Sequence, residues 1–161
     1  MRLGLLASGR GSNAAAILAA VAEDRLEAET VILICDRPGA AVLEIARSHG
    51  VPAVLIERTS YPDRATQQLA IRDALLDARV DVVALAGFAA ILAPSVVDVL
   101  PDRILNMHPS LLPAFAGSVA PGPQAAALAA GVKLAGCTVH IVTAEVDAGP
   151  IVAQAAVPAV S

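Results

Sequence analysis

Strand-length apolar runs alternate with helix-period segments almost from the first residue. That alternation narrows the possible folds more than any other feature of the chain. Arg2 to Ala7 reads as a buried strand, and Asn13 to Glu23 as a helix with Ala14, Ile17, Leu18 and Val21 on one side. Thr30 to Cys35 reads as a second strand, closed by the turn Asp36-Arg37-Pro38-Gly39, and Ala40 to Ser48 as a helix stopped at Gly50. Val54 to Ile56, the long helix Pro62 to Ala78 and the strand Asp81 to Ala86 continue the pattern. A short helix after Pro94 leads to a strand from Arg103 to His108. A Pro-rich loop (109–123), a helix over Gln124 to Ala130, and strands over Cys137 to Val142 and Ile151 to Ala155 complete the chain. Strands separated by helices pair in parallel through crossovers, so the expected fold is α/β: a doubly wound, mostly parallel sheet with helices on both faces. Without a repeat or a linker, residues 1–161 read as a single catalytic domain.

The chain is 57% apolar with a mean hydropathy of +0.69, which raises the question of a membrane. Its longest uncharged stretch, Val82 to Val97, is broken by Gly87 and Pro94 and falls short of the roughly 20 residues a span needs. The N-terminus lacks the apolar region and cleavage site of a signal peptide, so a cytoplasmic location is expected. A net charge of -4 without a basic stripe argues against a nucleic-acid partner. Cys35 and Cys137 lie far apart in apolar segments and read as buried free thiols. No His, Cys or carboxylate cluster has metal-ligand spacing, so no metal is expected. With 2% aromatic residues, the core must come from Ala, Val, Leu and Ile.

Ala7-Ser8-Gly9-Arg10-Gly11-Ser12-Asn13 joins the first strand to the first helix. Glycines at such a junction let the backbone approach an anion, and the free N–H groups of the helix start point toward it. The spacing fits neither a P-loop nor the full dinucleotide fingerprint, and Ser12 or Asn13 would equally serve as the helix cap.

Leu105-Asn106-Met107-His108-Pro109-Ser110-Leu111-Leu112-Pro113 carries the sharper signal. On a strand, Asn106 and His108 share a face, and they stand at its carboxyl end, where open α/β sheets bind ligands. An amide N–H can hold a developing oxyanion while an imidazole moves a proton, a combination suited to chemistry at a carbonyl. A histidine that only ends the strand before Pro109 is the plainer reading. Asp147, before Ala148-Gly149-Pro150, is equally at home as a turn residue. His140 reads as a hydrogen-bonded structural histidine and His49 as a helix C-terminal residue favoured by the dipole.

Taken together, Asn-x-His-Pro-Ser-Leu-Leu-Pro, Gly-Cys-Thr-Val-His (136–140) and Val-Asp-Ala-Gly-Pro-Ile (146–151) resemble the folate-dependent formyltransferases. Leu85-Ala86-Gly87-Phe88 with Ile91-Leu92 is similar to that family's folate-binding segment. The opening Ser-Gly-Arg-Gly-Ser-Asn resembles the branch whose acceptor is phosphoribosylglycinamide, a substrate of purine synthesis. The resemblance covers nearly the whole chain. It implies transfer of a formyl group from the cosubstrate 10-formyltetrahydrofolate to the acceptor amine. It assigns the substrate phosphate to Gly11, Ser12 and Asn13. The folate falls to Arg64, Ala89, Ala90, Ile91, Leu92 and Asn106, and catalysis to Asn106, His108 and Asp147. Asn106 would stabilise the tetrahedral oxyanion, and His108 would supply the proton as product and folate nitrogen separate. Asp147 would favour the cationic imidazole.

Three departures from the family pattern stand out. Ala89-Ala90 replaces the usual Met-Arg, and the loop Ser118-Val119-Ala120-Pro121-Gly122-Pro123-Gln124 lacks the usual histidines. Relatives continue past the position of Ser161 with a long helix, so apolar sheet surface is expected to lie uncovered here. Two other functions remain open: a hydrolase releasing formate from formyltetrahydrofolate, and a truncated, non-catalytic phosphate- or folate-binding remnant. A homo-oligomer is compatible with the sequence but not indicated by it.

Overall fold

The computed structural model describes residues 1–117 and 122–159. Ser118 to Pro121, the first part of the altered loop, lie outside the described residues. The fold class is the expected one, with seven strands in a mostly parallel sheet accompanied by helices. The chain divides into two compact units, Met1–Ile104 and Leu105–Ser161.

The first unit holds β1 (Arg2–Ala7), α1 (Ser12–Ala22), β2 (Glu29–Cys35), α2 (Ala41–Ser48) and β3 (Ala53–Leu55). After a 3-10 turn over Arg58–Ser60 come α3 (Arg64–Asp77), β4 (Val82–Leu85) and α4 (Pro94–Val97). All four strands are parallel, and β1 lies between β2 and β4 with β3 beyond β2. The chain therefore winds outward from β1 to β3 and returns to the other side of β1 for β4. The gap between the carboxyl ends of β1 and β4 is a topological switch point, the place where such sheets bind ligands. Residues 8–11 and 86–93 form the loops that leave those two ends.

Side-chain alternation along β1 divides the core. Leu3, Leu5 and Ala7 join Leu33 and Cys35 of β2, Ala14 and Leu18 of α1, and Val42 and Ala46 of α2 in one buried cluster. Gly4 points the other way, and a Cβ placed on it would stand 3.0 Å from Val80 and 3.2 Å from Leu75 of α3. The missing side chain lets α3 approach the opposite face, so helices cover both faces of this unit. Burial of each leucine, such as Leu5 or Leu33, contributes about 2 kcal/mol.

Two helix starts differ from the sequence expectation for a definite reason. Neither Ser12 nor Asn13 caps α1; the cap is Gly11 at φ 78°, with no side-chain hydrogen bond. A Cβ on Gly11 would meet Val42 at 2.7 Å, so only glycine fits between α1 and α2. Helix α3 begins at Arg64 rather than Pro62 because Asp63 caps it, its carboxylate accepting from the Thr66 N–H at 2.7 Å.

In the second unit, β5 (Ile104–His108, entered from the first unit) pairs antiparallel with β6 (Leu134–Ile141). Strand β6 pairs antiparallel with β7 (Ile151–Pro158), and α5 (Gly122–Ala129) lies between β5 and β6 in sequence. Strand β6 begins at Leu134, three residues earlier than its composition suggests, because Leu134 to Gly136 pair with Pro158 to Ala156. Gly136 is needed there, since a Cβ would stand 2.1 Å from the Ala155 carbonyl oxygen.

Every residue of β7 is exposed, including Ile151, Val152 and Val157. The same openness corrects the reading of Cys137, which is only half-buried beside β7, whereas Cys35 is fully buried. Burial pushes the Cys35 thiol above its ordinary value, which leaves it poorly reactive. Among the described residues, no helix is long and apolar enough to cross a membrane.

Candidate active site

Four side chains of the second unit form a connected polar cluster. Asn106 and His108 project from β5 two residues apart, as their spacing requires. The register of the antiparallel pair places His140 of β6 directly opposite Asn106. Asn106 Nδ2 lies 3.1 Å from His140 Nε2, and His140 Nε2 lies 3.4 Å from Asp147 Oδ1. The other carboxylate oxygen of Asp147 stands 3.2 Å from His108 Nδ1 and accepts from the Gly117 N–H at 2.8 Å. Both imidazoles are 3% exposed and the Asp147 carboxylate 9%, so these contacts are made largely out of water.

The backbone explains why Asp147 can reach two histidines. Asp147 adopts φ 55° in the turn between β6 and β7. Two residues on, a Cβ at Gly149 would stand 1.8 Å from the Ile141 carbonyl oxygen. The turn thus folds tightly against the end of β6, which only glycine permits. The Asp-Ala-Gly sequence therefore serves two ends, turning the chain and aiming the carboxylate.

A second set of bonds fixes the chain that leaves β5. Thr138, opposite His108, donates to the Ser110 carbonyl at 2.7 Å and accepts from the Leu112 N–H at 2.9 Å. Gln154 of β7 donates to the Leu112 carbonyl and to the Thr138 hydroxyl. His108 Nε2 faces the Phe115 carbonyl at 3.2 Å. That carbonyl can only accept, so Nε2 carries the hydrogen of this bond.

The remaining candidate residues lie in the first unit, at the ends of β1 and β4. Gly11 precedes α1, and the first-turn N–H groups of Ser12 and Asn13 have no side-chain cap. An uncapped helix start of this kind suits an anion. Gly87, at φ 80°, lies close by, with its Cβ direction 4.0 Å from Asn13 Nδ2. Arg64, the first residue of α3, donates to the Ile91 carbonyl at 2.6 Å. Of the segment it contacts, Leu92 is buried and Ile91 largely exposed.

The formyl transferase family pattern matches residues 1–161, the full sequence. The chain belongs to that family. The phosphoribosylglycinamide formyltransferase of Bacillus subtilis (strain 168) is 40% identical over 156 residues, covering 97% of this chain and 78% of that protein. The trifunctional purine biosynthetic protein adenosine-3 of Bos taurus is 41% identical over 157 residues, 98% of this chain but 15% of that protein. The glycinamide ribonucleotide transformylase 1 structure from Symbiobacterium toebii superimposes with a TM-score of 0.94 at 45% identity, over 100% of this chain and 74% of that one.

Within this formyl transferase, Asn106, His108 and Asp147 come together as the sequence suggests, and Arg64 meets the 89–92 segment. Sequence reasoning missed that His140 belongs to the cluster, where it stands beside both Asn106 and Asp147. Its Nδ1 faces the Ile141 carbonyl at 3.0 Å, which makes Nδ1 the donor and leaves Nε2 free to accept from the Asn106 amide. The only signal was the i to j pairing of two polar residues on neighbouring strands, which becomes visible once register is known.

Proposed function

We propose that this formyl transferase moves a formyl group from 10-formyltetrahydrofolate to the amine of phosphoribosylglycinamide, with residues 1–161 acting as one catalytic domain. The observation that carries the reading is the buried cluster of Asn106, His140, Asp147 and His108, which offers an amide donor and an imidazole held by a carboxylate. The acceptor amine attacks the formyl carbon, and the carbonyl oxygen takes up the electron pair. Asn106 uses the amide N–H not directed at His140 to hold that oxyanion. His108, oriented by Asp147, relays a proton from the attacking nitrogen to the departing folate nitrogen, so the N–C bond formed replaces the one broken.

Gly11, Ser12 and Asn13 hold the substrate phosphate through the uncapped start of α1. Arg64 and residues Ala89, Ala90, Ile91 and Leu92, with Asn106, hold the folate. With small side chains at 89 and 90, recognition there falls to the backbone. The hydrolase reading is disfavoured by the uncapped helix start, since water as acceptor needs no anion site.

Formyl transfer measured with purified protein, with and without phosphoribosylglycinamide, tests the proposal. Turnover that depends on the glycinamide supports it. Formate release without the glycinamide would favour the hydrolase, and a folded protein without turnover would favour the binding remnant.

A further inference from the structure

Three side chains from elsewhere in the first unit each hold one backbone group of the segment between β4 and α4, at alternate residues. The Ser8 hydroxyl accepts from the Ala89 N–H at 2.8 Å. The Arg64 guanidinium donates to the Ile91 carbonyl at 2.6 Å, and the Gln68 side-chain oxygen accepts from the Ala93 N–H at 2.8 Å. Ser8 is also tied by its own N–H to the Gly87 carbonyl at 3.0 Å. Arg64 and Gln68 are one turn apart on α3 and therefore share a face.

Gln68 is the unexpected member. Its side chain is fully buried, yet Nε2 has no hydrogen-bond partner among the described residues. The amide cannot be reversed to relieve this, because its oxygen is the only end able to accept from Ala93. A buried donor without a partner is unfavourable, so a residue chosen for packing alone would be apolar. Its neighbour Gln67 shows the ordinary case: also buried, it donates to the Ile56 carbonyl at 3.0 Å, away from this segment.

We infer that Gln68, together with Ser8, is a positioning residue for the folate-binding segment. Gln68 fixes the Ala93 end and Ser8 the Ala89 end, and Arg64 grips the middle. Ala89 and Ala90 have no long side chains with which to anchor themselves. The segment's shape is therefore imposed from outside, through the backbone. The inference rests on the assignment of the folate to residues 89–92.

The test compares Gln68→Met, which keeps the volume but removes the acceptor, with Gln68→Glu, which keeps an acceptor facing Ala93. Gln67→Met serves as a buried-glutamine control on the same helix. Gln68→Met is expected to raise KM for 10-formyltetrahydrofolate about tenfold, with kcat within about twofold and KM for the glycinamide unchanged. Gln68→Glu is expected to recover most of that loss. Gln67→Met is expected to lower the melting temperature without raising the folate KM. Ser8→Ala is expected to behave like Gln68→Met. Active wild-type protein whose folate KM is the same in Gln68→Met, or equally raised in Gln67→Met, would overturn the positioning role alone. Wild-type protein that fails to bind 10-formylfolate by calorimetry would overturn the folate assignment and this inference with it.

Discussion

His108 Nδ1 and Asp147 Oδ2 lie 3.2 Å apart, joining the carboxyl end of β5 to the turn before β7 across 39 residues of sequence, the difference between positions 108 and 147. The second ring nitrogen of His108 faces the Phe115 carbonyl, so both nitrogens address acceptors. Asp147 and the Phe115 carbonyl together set which way the imidazole faces. Asp147→Asn keeps the shape and can still accept from Gly117, but removes the charge. Its kcat is expected to fall by about 10² to 10⁴ with little change in either KM. A kcat within threefold of wild type, at any pH from 6 to 9, would show that the carboxylate is not needed.

Asn106 is asked for a different contribution. An oxyanion donor acts only as charge develops, so its loss lowers kcat rather than substrate affinity. Asn106→Ala is expected to lose about 3 kcal/mol of transition-state stabilisation, a fall in kcat of about 10² to 10³. Because His140 holds the same amide at 3.1 Å, His140→Ala is expected to cost part of this, and the double variant less than the sum of the two. Strict additivity in that cycle would mean that His140 does not act through Asn106.

Much of this arrangement was legible before any coordinates. Parallel strands buried on both faces must be continuously apolar, so Arg2 to Ala7 and Thr30 to Cys35 were visible as strands. Their alternation with helices then fixed the class of sheet. Asn106 and His108 were visible as a pair on one face at a strand's carboxyl end, and the resemblance of the surrounding motif to the formyltransferases is what singled them out. Longer-range contacts were not visible. His140 joins the site only through its register with Asn106, and no local pattern carries register between strands 34 positions apart. Gln68 was hidden among ordinary helix residues, since its partner is the Ala93 backbone, which carries no sequence signature. The cap of α1 was misread because serine and asparagine are the usual capping residues. The decisive constraint, the Val42 side chain pressing on Gly11, comes from a different helix.

That constraint makes Gly11 a sharp test of the anion site. Alanine there would have to hold φ 78° and bring its Cβ to 2.7 Å from Val42. Left-handed backbone at a non-glycine residue costs about 1–2 kcal/mol, and the clash adds to it. Gly11→Ala is expected to lower stability by about 2–4 kcal/mol in urea titrations. Val42→Ala would remove only the Cγ2 contact, since the Val42 Cβ itself stands 2.8 Å from that position. In Gly11→Ala, KM for the glycinamide is expected to rise while KM for the folate stays near wild type. An equal rise in both would detach Gly11 from phosphate binding.

The cap at Asp63 links folding to pH. The Thr66 N–H, and then its hydroxyl, hold the Asp63 carboxylate below its ordinary value of 3.8. A carboxyl group depressed on folding contributes stability above its unfolded value, and the contribution disappears as pH falls through the lower, folded one. The cap therefore supports α3 at neutral pH and weakens only below about pH 4. Arg64 follows the cap directly and Gln68 lies one turn on, so fraying of this end would release the Ile91 and Ala93 contacts first. Asp63→Asn keeps a side-chain acceptor without the titration, so its melting temperature is expected to fall less steeply than wild type between pH 5 and 3. Asp63→Ala removes both, and is expected to be less stable than wild type at pH 7 and to approach it at pH 3. Parallel pH profiles for wild type and Asp63→Asn would show that this carboxylate does not contribute to acid sensitivity.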